Sequence, residues 1–141
     1  MTRRAALPLL SVLLAGCSIQ QNVKPVTPAQ LTSKEICVRE NAAVRPGFLD
    51  SYRRALEAKG LTVRVLDPTA GVTACPLLST YSANWRWDFT MYMAYAEMVV
   101  YRDGGEIGKA VYDTMSGGLN TNKFINADEK VRELVDQLFP R

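Results

Sequence analysis

From Leu78 to Arg102 the chain runs without a glycine or proline and reads as strand throughout. Strands in globular domains are usually about 3–10 residues long, so this run is too long for one strand in so small a protein. It must fold back on itself, and the break is placed near Asp88 to Thr90, although no glycine or proline marks it. Asp103-Gly104-Gly105 then supplies a clear hairpin signal, with a last strand from Glu106 to about Thr114. Whatever else the chain contains has to cover these three consecutive strands.

The covering elements lie on either side. Glu35 to Glu40 reads as a strand with Ile36 and Val38 on one face, and Leu61 to Leu66 as another with Leu61, Val63 and Val65 alternating. Between them a helix is predicted from about Pro46 to Lys59, with Pro46 in the first helical position and Gly60 as its left-handed exit. Phe48, Tyr52, Ala55 and Leu56 form its apolar stripe. This unit predicts a right-handed crossover between parallel strands. A second helix spans Ala127 to Phe139, capped by Asn126 with Glu129 in capping-box position, and buries Val131, Leu134, Val135 and Leu138. The order β-α-β-β-β-α describes an α/β fold of the α+β kind: a two-layer sandwich with a mixed sheet and both helices on one face. Ala94 and Ala96, and Gly108 with Ala110, are the small residues over which those helices can pack closely.

The N-terminus constrains location. Arg3 and Arg4 precede an apolar run, Ala5 to Leu14, that as a helix would span only about 15 Å, half a bilayer core. Leu14-Ala15-Gly16-Cys17 resembles the lipobox of bacterial lipoproteins. The resemblance implies cleavage before Cys17, a diacylglyceryl thioether on its sulfur and acylation of its freed amine, as with palmitate. Two or more chains hold a protein stably where one is marginal. Ser18 after the cysteine implies the outer membrane, on its periplasmic face. Residues 1–16 are then a signal peptide, 17–33 the lipidated cysteine and a tether, and 34–141 one domain. Residues 18–33, rich in Gln, Pro, Thr and Ser with Pro25 and Pro28, read as an extended segment reaching up to about 50 Å.

Charge and residue usage exclude several classes. The formal charge is +3, of which Arg3 and Arg4 supply two, leaving a nearly neutral mature chain with no electrostatic case for nucleic acid. Histidine is absent, which removes the commonest general base and metal ligand. With Cys17 acylated, Cys37 and Cys75 remain as an even pair in an oxidising compartment. A disulfide between them would contribute at most about 4 kcal/mol in the loop-entropy model; the alternative is two small buried thiols. Two thiolates without histidine cannot complete a zinc site, so neither metal nor cofactor is expected.

The strand parities put Asn84, Arg86, Asp88, Tyr95, Glu97, Lys109 and Asp113 on the face opposite the helices, with Met93 and Tyr101 around them. Such a band serves as solvated cross-strand ion pairs or as an interaction surface. Asp88 and Glu97 would do acid–base work only if they converged in a cleft. Trp85 and Trp87 share a face and read as core, with ligand stacking the alternative. Asn120, Asn122 and Lys123, just before a helix N-terminus, form a candidate anion loop, though no P-loop pattern closes it.

Trp85-Arg86-Trp87-Asp88, Ala110-Val111-Tyr112-Asp113 and Lys123-Phe124-Ile125 resemble a small Gram-negative lipoprotein family without an assigned activity. The resemblance covers most of residues 35 to 140 and implies one domain, but it supplies no catalytic residues. The element order is also similar to envelope accessory domains of the curli-secretion and Tol-Pal type, a likeness of topology alone. The expectation is a non-enzymatic, lipid-anchored outer-membrane protein that docks an envelope partner or further copies of itself. The alternative is a module binding a small ligand, lipid or glycan on the open sheet face or at the Asn120 to Lys123 loop.

Overall fold

The computed structural model describes residues 18–141. The expected signal peptide, residues 1–16, and Cys17 lie outside the described residues. In chain order the elements are β1 (Gln20–Lys24), β2 (Glu35–Arg39), α1 (Pro46–Ala58), β3 (Thr62–Leu66), β4 (Leu77–Asp88), β5 (Thr90–Arg102), β6 (Gly105–Asp113) and α2 (Ala127–Leu138). Short 3₁₀ turns occupy Pro28–Gln30 and Thr121–Phe124. The six strands form one mixed sheet in the order β1-β6-β5-β4-β2-β3, and α1 and α2 pack against one another over a single face. The α+β architecture read from the sequence is therefore the one observed, with six strands: the five segments named above, one more than the order β-α-β-β-β-α counts, and Gln20–Lys24.

That extra strand corrects the reading of residues 18–33 as a free tether. Gln20–Lys24 pairs antiparallel with β6, from Gln20 opposite Asp113 to Lys24 opposite Lys109. Val26 follows it into the core, 1% exposed, and its amide donates to the Leu138 carbonyl at 2.8 Å. Gly108 makes the room: a Cβ there would collide with Val26 and press on Leu138 at 3.2 Å. Side chains tie the same strand to α2, since Gln21 Nε2 donates to Glu133 at 2.8 Å and Lys130 donates to Gln21 at 3.1 Å. The folded domain thus starts at β1, not near residue 34.

Both helices form for the expected reasons. Pro46 opens α1 with φ already set, Gly60 leaves it at φ 87°, and Phe48, Tyr52, Ala55 and Leu56 are buried. Asn126 accepts from the amides of Asp128 and Glu129 at the start of α2, whose Val131, Leu134, Val135 and Leu138 are at most 1% exposed. Each such side chain contributes about 1.5–3 kcal/mol by leaving water. Tyr52, fully buried, bonds Ser79 Oγ at 2.7 Å, and Ser79 in turn donates to the Val99 carbonyl at 2.9 Å.

Cys37 and Cys75 form a disulfide. Ile36 and Val38 face the helices, so Cys37 between them points to the other side of the sheet. There residues 67–76 fold back over Cys37, Cys75 and Leu78, with Leu66, Val72 and Tyr101 packed around them. Part of the face expected to be open is therefore covered by this disulfide-held loop.

The β4–β5 hairpin turns at Phe89, within the expected Asp88 to Thr90 break. Its ladder slips once: Asn84 pairs with Tyr95 but Trp85 with Met93, leaving Ala94 as a bulge whose carbonyl accepts from Thr114 N at 2.9 Å. The extra residue inverts the side-chain parity beyond it. Met93 consequently lies in the main core, 1% exposed, and not on the open face.

Candidate interaction surface

Two regions of the described chain carry the residues singled out by the sequence. The first is the helix-free face beyond the disulfide loop. Asn84, Tyr95 and Asp113 stand in one row across β4, β5 and β6, and Ser82, Glu97 and Val111 in the next. Glu97 organises this patch: the Tyr95 hydroxyl donates to its Oε2 at 3.0 Å, and Lys109 Nζ reaches the same oxygen at 3.0 Å. Burial and the adjacent Glu97 carboxylate push the Tyr95 hydroxyl pKa up, while the hydrogen bond and charge of Glu97 raise that of Lys109. Asp113 accepts from the Met115 amide at 2.7 Å and so ends β6 instead of joining the pair. Asn84 and Arg86 are exposed on β4. The face thus brings Tyr95, Glu97 and Lys109 into direct contact, with Asn84 and Asp113 beside them.

Asp88 is elsewhere. It lies six residues along β4 from Ser82, the partner of Glu97, a distance of about 20 Å at ~3.3 Å per residue. The paired carboxylates of glycoside hydrolysis stand about 5–10 Å apart, so these two form no such pair.

The second region is the end of the sheet where β4 and β5 turn. Trp85 is the last residue of its face beneath the helices, edge-on to Phe48 at 6.2 Å with the Arg45 guanidinium 5.3 Å above its ring. Trp87, two residues on, passes the N-terminal ends of both helices and is 72% exposed. The core reading therefore holds for Trp85 and fails for Trp87, because nothing is stacked over β4 at that point.

Lys123 joins the turn to the loop that follows β6. Its ammonium donates to Asp88 Oδ2 at 2.6 Å and to the Gly118 carbonyl at 2.7 Å, and it sits 5.3 Å from the Tyr92 ring centre and 5.2 Å from that of Phe124. The side chain is 6% exposed. The anion loop expected at Asn120, Asn122 and Lys123 is corrected accordingly: its cation is already neutralised by Asp88, and Asn120 caps the 3₁₀ turn by accepting from the Asn122 amide. Sequence reasoning did not link Asp88 to Lys123, since no local pattern joins residues so far apart.

Beside this loop an open groove of about 800 Å³ is lined by Ser18, Ile19, Tyr112, Asn120, Phe124 and Lys130, among others. Tyr112 is 1% exposed and, among the described residues, its hydroxyl has no hydrogen-bond partner. Lys130 Nζ lies 4.9 Å from that ring and bonds Glu133 at 2.7 Å. Among the described residues no group of three or more His, Cys, Asp and Glu side chains comes together, and no helix is long and apolar enough to cross a membrane.

No family model matches the chain, and no curated protein does. Among solved structures the fold is similar to the PelC dodecamer from Paraburkholderia phytofirmans. The crystal form of a single-substitution variant gives a TM-score of 0.51 at 12% identity, over 86% of this chain and 94% of that one. A second crystal form gives a TM-score of 0.50 at 12% identity, over 86% and 95% of the two chains. At that identity the likeness is one of fold.

Proposed function

We propose that this chain is an outer-membrane lipoprotein, held on the periplasmic face by acyl chains on Cys17, whose domain docks an envelope protein or further copies of itself without catalysis. The observation that carries the docking reading is the helix-free patch at Tyr95, Glu97 and Lys109. It is half-buried, fixed by its own hydrogen bonds, and left uncovered where the disulfide loop ends. Among the described residues the outer strands β1 and β3 each leave one edge unpaired, a further template for association. Self-association is also supported by the solved chains of similar fold, which are dodecamers.

Crosslinking in intact cells, followed by mass spectrometry, tests the reading. The expected result is an acylated mature N-terminus and crosslinks from the sheet face to one partner or to a second copy. Reversing the charges of Arg86 and Lys109 should then release that complex from solubilised membranes. A solitary chain in the envelope, or assembly indifferent to both substitutions, would contradict docking; an unacylated Cys17 would contradict the anchor.

A second reading is favoured by one observation, the unpartnered Tyr112 hydroxyl in the groove with Asn120. A small polar ligand, such as a glycan or lipid headgroup, would satisfy it. Native mass spectrometry of the purified chain should then show retained mass that Tyr112→Phe loses.

A further inference from the structure

Among the described residues, six of the seven large exposed apolar side chains gather at one end of the molecule. Trp87, Phe89 and Met91 form the β4–β5 turn, at 72%, 89% and 47% exposure. Met115, Leu119 and Phe124 belong to the loop that Lys123 ties to that turn. Phe124 packs edge-on against Tyr92 of β5 at 5.4 Å, so the two segments form one surface. Single exposed apolar residues need no explanation, but a contiguous group marks a contact site.

Folding does not account for the residue at the tip. Phe89 turns the hairpin at φ 60°, a conformation that glycine or asparagine adopts more readily. A bulky side chain held there, almost wholly in water, is an observation pointing outward. Charge is also muted: the turn's one carboxylate, Asp88, is neutralised by Lys123, and Arg86 beside it is exposed.

The occupant follows from the side of the sheet on which Ser18, the neighbour of Cys17, lies. Gln20, Asp113, Tyr95 and Asn84 stand in one row of the sheet. β1 runs from that row away from the turn, so Ser18 and Ile19 lie on the turn's side of it, in the groove shared with Phe124. Ser18 is bonded directly to Cys17, which leaves no tether to lift the domain. From the same row β4 continues four residues to Asp88, about 13 Å beyond. Interfacial elements bury their apolar faces about 5–10 Å into a bilayer.

We infer that this end of the domain is a second membrane contact. The turn of Trp87, Phe89 and Met91, with Leu119 beside it, enters the lipid headgroup and upper acyl region next to the anchored Cys17. This rests on the acylation proposed above. The lipid seat orients the domain, and it leaves the Tyr95–Glu97–Lys109 patch on a wall of the molecule, not at its base.

The chain has two tryptophans, so Trp85→Phe leaves Trp87 as the only indole. Full-length acylated protein, with its N-terminal mass verified, is reconstituted into phosphatidylethanolamine–phosphatidylglycerol vesicles with and without brominated acyl chains. Trp87 emission should move to the blue, lose at least half its intensity to the brominated lipid, and become inaccessible to aqueous acrylamide. Phe89→Ser with Leu119→Ser should reverse at least half of that quenching while the far-ultraviolet spectrum is unchanged. An acylated chain whose Trp87 stays acrylamide-accessible would overturn the seat alone. A blue shift without bromine quenching would also overturn it, because a protein contact would then cover the indole. A mature chain carrying no lipid would overturn the anchor reading and this inference with it.

Discussion

The two ends of the β4–β5 hairpin are built from the same ladder and similar side chains, yet they are treated oppositely. At the Leu77 end Leu78 is fully buried, and the hairpin is covered by the helices on one face and the disulfide loop on the other. At the Phe89 end neither layer reaches, and Trp87 and Phe89 stand in water. Strand propensity is equal along the hairpin; what differs is which neighbours the topology supplies. An apolar residue contributes to stability only where something is packed against it, so the two ends should respond differently to truncation.

The largest effect is expected at the covered end. Leu78→Ala should cost about 2–5 kcal/mol through lost burial and the cavity left behind. Trp87→Ala, a larger deletion, should change stability by less than about 1 kcal/mol, because little of it is packed. Urea midpoints measured for both variants at one pH check this, and comparable losses would break the contrast.

A smaller effect concerns how the anchored side is braced. Hydrogen bonds from Lys130 and Gln21 hold the Glu133 carboxyl below its ordinary 4.5. A carboxylate depressed in the folded state stabilises it above the unfolded value, and that contribution disappears as pH falls through the folded one. Amides of β1 should therefore exchange faster as pH drops below about 4.5, after correction for intrinsic exchange, and Glu133→Gln should remove most of that pH dependence. The strand β2, held through Cys37, should not share it. Uniform acid sensitivity across the sheet would erase the distinction.

Much of the fold was legible because its signals are local. Pro46, Gly60 and Asn126 mark helix ends by backbone chemistry that neighbours cannot override, and the length of the Leu78 to Arg102 run required a turn even without a turn residue. β1 was not legible. Gln20–Lys24 is a polar edge strand followed by two prolines, and what makes it a strand is β6, far along the chain, together with the space left by Gly108. Met93 was assigned to the wrong face because the Ala94 bulge has no glycine to announce it. In the candidate surface, the shared face of Tyr95, Glu97 and Lys109 followed from parity, while their contact needed the strand register. The pairing of Asp88 with Lys123 needed the loop's path, and the exposure of Trp87 needed to know where the helices begin.

The central claim is that the turn's apolar residues serve a contact outside the domain and not its folding. Phe89→Gly tests it most directly, with unfolding midpoint and lipid contact of the acylated chain measured on the same sample. Relief of the positive φ should leave the midpoint unchanged or raise stability by up to about 1 kcal/mol, while quenching of Trp87 by brominated lipid falls. A variant that unfolds more easily and keeps its lipid contact would contradict the account.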